Sequence, residues 1–227
     1  MRVISVNVGQ PREVLWHGEP VLTSIFKEPV SGPVRLEPDN LAGDRQADLS
    51  VHGGPAKAVY VYPAGYYDAW RRELPEMALP WGMFGENLTL AGVSDQTVAI
   101  GDRLRIGTAE LVVTQPRLPC YKLGIRFGRD TFLKQFLASG RTGFYLAIAR
   151  AGEISAGDVA AIIARDPRGV TVAEIVRLYV RGRSDVDAMR RAVAVPALAA
   201  EWRGEFTRRL ERLQAAPDLD DKDDDGA

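Results

Sequence analysis

The stretch Ile100-Gly101-Asp102-Arg103-Leu104-Arg105-Ile106-Gly107-Thr108-Ala109-Glu110-Leu111-Val112-Val113-Thr114 sets the reading of the fold. Two short apolar runs, Arg103 to Ile106 and Glu110 to Thr114, are set off by turn formers, which is the texture of strands. At Gly101-Asp102 a glycine that can take positive φ stands beside an aspartate that can bond the turn backbone, and Gly157-Asp158 repeats the pair before another run. Working outward, the same texture marks Val3 to Val8, Val21 to Phe26, Val34 to Leu36, Ala58 to Tyr62, Asn87 to Leu90, Thr97 to Ile100, Phe144 to Ala149 and Val159 to Ile163. So many short strands with few helices between them predict a mostly β fold, an antiparallel sheet closed into a barrel, because closure removes exposed strand edges. Helices predicted over Tyr66 to Leu74 and Thr131 to Ala138 would flank or plug it.

After Arg165 the breaker cluster Asp166-Pro167-Arg168-Gly169 ends this texture and the apolar spacing becomes helical. Residues 1–165 are therefore expected to form the barrel and 166–215 a small three-helix element. Thr171 with Glu174 and Ser184 with Asp187 fit capping boxes for the first two helices. The third follows Pro196, with Leu198, Trp202, Phe206, Leu210 and Leu213 on one apolar face. So short a bundle cannot bury much surface alone and should dock on the barrel or on a second copy, which makes a homodimer an expectation. A helix-turn-helix reading of this element is disfavoured: the Arg181-Gly182-Arg183 turn is basic, but Asp185, Asp187, Glu201 and Glu205 lie near it. Residues 216–227, acidic and almost without apolar groups, read as a disordered tail.

Composition narrows the function classes. With 227 residues, 46% of them apolar and 26% charged, the chain is expected to be globular. Its 29 Lys and Arg against 30 Asp and Glu give no general attraction to nucleic acid or anionic membranes, so any anion site must be local. The N-terminus lacks the long apolar core of a signal peptide, and no stretch approaches the ~18 consecutive apolar residues of a membrane span, so the cytoplasm is the expected compartment. One cysteine, Cys120, and two histidines, His17 and His52, cannot build a disulfide or a cysteine-rich zinc site.

Cys120 lies in Gln115-Pro116-Arg117-Leu118-Pro119-Cys120-Tyr121-Lys122, directly after a strand. Two prolines stiffen the loop and two cations flank the sulfur; positive charge favours the thiolate, the form that acts as nucleophile or metal ligand. The local sequence is equally compatible with a buried structural cysteine. A second constellation runs from Ala42 to Lys57. Gly53 and Gly54 let the backbone approach a ligand, and Arg45, His52 and Lys57 offer donors to a phosphate or a pterin ring; a glycine-containing turn with solvated charges fits it too. Lys27 sits in a stiff Pro-Gly loop. Asn87 carries an amide able to donate and accept, although it and Glu86 can equally be residues of the turn into a strand.

Taken in order, KEPVSGPV (Lys27–Val34), AGDRQADLSVHGGPAKAVYVYP (Ala42–Pro63), FGENLT (Phe84–Thr89), IGDRLRIG (Ile100–Gly107) and TQPRLPCYKL (Thr114–Leu123) resemble the MOSC family, named from the C-terminus of molybdenum cofactor sulfurases, and within it the bacterial YiiM-like branch. The likeness spans roughly residues 1–165, and the helical element matches that branch's C-terminal helices. It implies a β-barrel whose pocket binds the molybdenum cofactor, a metal held by the dithiolene of a phosphorylated pterin, with Cys120 as the protein ligand. Lys27, Arg45, His52, Gly53, Gly54, Lys57, Asn87, Arg117 and Lys122 would bind the cofactor, and His52 would assist catalysis as a proton donor. The implied activity is reduction of N-hydroxylated or N-oxygenated compounds such as hydroxylaminopurines, with electrons from a separate flavin or iron–sulfur reductase. Pyridoxal phosphate binding is a further implication at the level of the family. Two other readings stay open: a cofactor or sulfur carrier without turnover, and a metal-independent thiol hydrolase using Cys120 and His52 with Asp44 or Asp48.

Overall fold

The computed structural model describes residues 1–49, 53–182 and 184–215. Its main sheet has eight strands: β1 (Arg2–Val8), β4 (Glu28–Pro29), β7 (Val59–Pro63), β8 (Leu88–Ala91), β9 (Arg103–Ile106), β10 (Ala109–Pro116), β11 (Phe144–Arg150) and β13 (Ala160–Ala164). They run in the order β13-β9-β10-β11-β7-β8-β1-β4. Every pairing is antiparallel except β7 with β8, which α1 (Ala64–Glu73) connects. A hairpin of β2 (Arg12–Trp16) and β3 (Glu19–Thr23) stands apart, and β5 (Val34–Glu37), β6 (Asn40–Leu41) and β12 (Glu153–Ile154) form a small third sheet.

The expected barrel does not close. The sheet's flanks meet at one isolated bridge, Arg2 with Val159, with backbone bonds from Val3 N to Asp158 O (2.9 Å), Gly157 N to Val3 O (2.8 Å) and Ala160 N to Met1 O (3.0 Å), and no strand ladder continues from it among the described residues. The remaining flank of β1 is instead taken by the two-residue β4. Six α-helices among the described residues also make the fold mixed α/β rather than mostly β: besides α1 there are α2 (Tyr121–Phe127), α3 (Phe132–Ser139), α4 (Val172–Val180), α5 (Val186–Val193) and α6 (Ala200–Ala215). Thr97–Ile100 is a turn, not a strand. Its backbone is taken up by Asp102, whose Oδ2 accepts from Ala99 N (3.0 Å), and by Val170, whose carbonyl accepts from Ile100 N (2.9 Å).

Two apolar clusters flank the sheet. One joins Val3, Val61, Leu104, Leu111 and Leu146 to Ile175, Met189, Trp202 and Phe206, so the C-terminal helices share a core with the strands. Of the apolar face that suggested a second copy, Leu198, Trp202 and Phe206 are buried within the chain, Leu210 is partly buried and Leu213 is exposed. The other is aromatic: Tyr62, Tyr67, Trp70, Phe84, Phe127, Phe132 and Phe136 pack α1, α2 and α3 against β7. Trp70 Nε1 donates to Tyr62 Oη at 2.7 Å, giving the buried indole its partner. Thr171 Oγ1 accepts from Glu174 N (3.1 Å) and starts α4, while Asp185 rather than Ser184 caps α5, accepting from Ala188 N at 3.2 Å. No helix among the described residues is long and apolar enough to cross a membrane.

Candidate functional site

The site grows from the end of β10. Its ladder with β11 shifts register between Val113 and Gln115, a bulge that re-aims the following side chains. Thr114 Oγ1 anchors this point by donating to Ala56 O at 2.7 Å. The chain leaves the sheet through Arg117-Leu118-Pro119 and reaches Cys120, partly buried, just before α2. Arg117 N donates to Gly143 O at 3.1 Å, and its guanidinium lies 5.2 Å from the Tyr60 ring centroid and 5.4 Å from that of Phe136. Burial works against the Arg117 charge, but Tyr60, Tyr145 and Cys120 around it more than offset that and raise its pKa.

A cavity of about 660 Å³, its open mouth included, lies here between the β10 end and the loops after β3, β6 and β7. Lys27, Arg45, Lys57, Arg117 and Lys122 line it, with Asp44 as the one acid on its wall and Cys120 at its edge. The loops carrying these residues are separately pinned. Asp44, 4% exposed, accepts from Lys27 Nζ, from Gly9 N (2.7 Å) and from Asn87 Nδ2 (3.0 Å). Asn87 returns the tie to the sheet, its Oδ1 accepting from Tyr60 N at 3.0 Å. Burial lowers the pKa of Lys27, and the Asp44 carboxylate opposes that. Under the cavity, Glu86 accepts from Gly82 N (2.9 Å) and Phe84 N (3.1 Å), and burial raises its pKa.

Of the residues singled out from sequence, Lys27, Arg45, Lys57, Asn87, Arg117, Cys120 and Lys122 line this one cavity. Asn87 lines it with its amide already engaged by Tyr60 and Asp44. Gly53 and Gly54 line a neighbouring hollow that shares Asp44, Arg45 and Gln46 with the first. His52 lies outside the described residues. Asp44, offered as a partner for that histidine in the hydrolase reading, accepts from Lys27 and Gly9 on Oδ1 and from Asn87 on Oδ2. Sequence reasoning missed Ser24, Tyr60 and Tyr145 as wall residues. Tyr60 and Tyr145 are cross-strand partners of β7 and β11, a pairing invisible before strand order is known. A second cavity, about 1070 Å³ with its mouth, shares Lys57, Leu118, Cys120 and Tyr145 with the first and is closed on its far side by α6. Among the described residues no group of three His, Cys, Asp or Glu side chains is placed to hold a metal ion.

A cation-walled pocket with a thiol at its edge has the charge and shape that would suit an anionic small molecule. Residues 48–161 match the MOSC domain family, and 170–213 match the YiiM-like 3-alpha helix domain. The Bacillus subtilis protein YflK is 37% identical over 211 residues, covering 93% of this chain and 95% of that one. A Gibberella moniliformis protein named a reductase is 34% identical over 166 residues, 72% of this chain and 29% of its own length. The crystal structure of YiiM from Geobacillus stearothermophilus superposes with a TM-score of 0.78 at 31% identity, covering 92% of this chain and 98% of that one. The chain belongs to the MOSC family, in its YiiM-like branch.

Proposed function

We propose that this protein is a molybdenum-cofactor-dependent reductase of N-hydroxylated or N-oxygenated compounds, supplied with electrons by a separate flavin or iron–sulfur reductase. The observation that carries the reading is the gathering of five cations and the single thiol on one cavity in a chain whose net charge is −1. The residues fit a phosphorylated pterin on a further ground. Arg117 Nη1 and Ser24 Oγ, both of residues lining this cavity, are buried without hydrogen-bond partners, and a polar anionic ligand is what would satisfy them. Lys27, Arg45, Lys57, Arg117 and Lys122 would hold the cofactor's anionic groups, and Cys120 would ligate the metal, a soft thiolate suiting a sulfur-bound molybdenum. The cofactor, when bound, supplies two-electron redox chemistry. The protein's part is to orient it, with Lys27 fixed by Asp44.

The name of the Gibberella relative supports a redox role. A carrier would need only the first cavity, so the second cavity reaching the same cysteine favours turnover. The test is molybdenum and pterin content of the native protein against Cys120→Ser, together with reduction of an N-hydroxylated base by a chemical electron donor. The native protein is expected to hold the cofactor and turn over, and the variant to lose most of its molybdenum. Equal molybdenum in both would sink the ligand assignment, and cofactor without turnover would leave a carrier.

A further inference from the structure

The geometry points to a division of labour between the two cavities: the one closed by α6 is the substrate compartment, and Gln115, Glu201 and Glu205 select flat, uncharged or cationic molecules that donate N–H bonds. The inference rests on the reading above for the chemistry done at Cys120, but its own support is independent.

Charge separates the two spaces. The first carries Lys27, Arg45, Lys57, Arg117 and Lys122 against Asp44 alone, and it attracts anions. In the second, Lys57 and Arg208 face Glu201 and Glu205 and the formal charges cancel, so an anion gains nothing by entering it. What the second space offers is acceptors. Gln115, 1% exposed, donates through Nε2 to Ala56 O at 3.3 Å, which leaves its Oε1 buried with no donor. A buried acceptor left unmade penalises the empty site and rewards a ligand that brings an N–H to it. Both carboxylates are held in place: Glu201 by Lys57 at 3.0 Å, Glu205 by Arg209 at 2.6 Å and Arg208 at 3.1 Å. Each oxygen can accept more than one bond, so these pairings leave acceptor capacity for a ligand. Pro116, Leu118, Pro119 and Tyr145 provide apolar faces for a flat ring, and Cys120 lies on the wall shared with the first cavity. A ring seated there reaches the thiol across the wall that the two cavities share. The compartment needs α6, which gives the C-terminal helices a role in specificity besides their share of the core.

The experiment is calorimetric binding of three flat probes of one shape to the purified full-length protein: benzamidine (cation), benzamide (neutral) and benzoate (anion). In the binding that depends on Gln115, benzamidine and benzamide are expected to be at least tenfold tighter than benzoate, whose binding in the cation-walled cavity the Gln115 variant leaves unchanged. Gln115→Met, which keeps bulk and removes the acceptor, should weaken both by tenfold or more with molybdenum content unchanged. Because Gln115 is buried, the exposed Glu201→Gln provides a second arm, expected to narrow the gap between benzamidine and benzoate. Benzoate binding that Gln115→Met weakens as much as it weakens benzamidine, or an unchanged benzamidine affinity in a folded Gln115→Met and in Glu201→Gln, overturns the assignment. The outcomes are separable from those of the cofactor test: Gln115-dependent benzamidine binding in a protein whose molybdenum does not depend on Cys120 keeps the compartment and removes the cofactor reading. Molybdenum lost in Cys120→Ser with no probe discrimination does the reverse.

Discussion

Replacing Asp44 by asparagine leaves the shape of the site almost unchanged and removes the one negative charge on the wall of the cation-lined cavity. The side chain is 4% exposed and accepts three hydrogen bonds. In Asp44→Asn the amide oxygen can keep Gly9 N and Lys27, but the bond to the buried ammonium loses its charge partner. That costs about 1.5–3 kcal/mol. The amide nitrogen then faces Asn87 Nδ2, donor against donor, where the carboxylate accepted at 3.0 Å. Asn87 cannot turn over without surrendering Tyr60 N, which its Oδ1 holds at 3.0 Å. The mismatch adds about 1–3 kcal/mol. The expected loss is therefore about 3–5 kcal/mol, read by urea unfolding, with a fall in Tm of roughly 10 °C. Lys27→Met combined with Asp44→Asn should lose less than the sum of the single losses by more than about 1 kcal/mol, since the two groups answer each other. A loss below about 1 kcal/mol in the single variant, or strict additivity in the double, would refute the view that this ion pair holds the cavity's loops together.

Two further tests concern the frame under the site. Asp95 is 1% exposed, and burial raises its pKa from 3.8 to about 6 against the hydrogen bonds from Thr142 N (3.0 Å) and Gly143 N (3.1 Å). The folded state thus keeps this proton to higher pH than the unfolded chain, so its stabilisation is complete below the ordinary carboxylate range and is lost as pH rises through about 6. Asp95→Asn should gain on the native protein across that window by up to ~3 kcal/mol, and a pH-independent difference in urea unfolding would contradict it. Gly143 has φ +68, and a Cβ there would sit 2.4 Å from Val61 O. Gly143→Ala should cost at least about 2 kcal/mol and, because Gly143 O accepts from Arg117 N, should lower cofactor retention as well; an unchanged Tm would show that the β7–β11 contact yields freely.

Local chemistry in the chain was enough to place the main strands and five of the six helices among the described residues. The β-branched runs around Val3, Val59, Leu104, Val112 and Leu146 became β1, β7, β9, β10 and β11, and Thr171 capped α4 as its spacing with Glu174 required. These are short-range effects, decided by alternation, turn residues and capping within a few positions. Where local signals were weak they misled or were silent. The turn between β2 and β3 uses His17 at φ 52 before Gly18 at φ 85, a position that asparagine or aspartate ordinarily announces. The helix after Cys120 contains Gly124, which Arg129 O and Leu133 would crowd if it carried a Cβ, so its glycine reflects packing and reads locally as a breaker.

The sequence by itself determined which residue types were available for an anion and a soft metal: a few cations in stiff or glycine-bearing loops and a single thiol after a strand. Only the tertiary structure decided which of them share a wall. Lys27 and Arg117 are brought to one cavity by strand order and by the ties of Asp44 to Lys27, Gly9 and Asn87, while Gly53 and Gly54 turn toward a neighbouring hollow. The open rather than closed sheet, and the second cavity made by α6 against the end of β10, also arise from contacts between segments far apart in the chain. Periodicity reports how a segment meets its own neighbours; it carries no term for which distant segment will cover it, and that covering sets the shape and charge of the space beside Cys120.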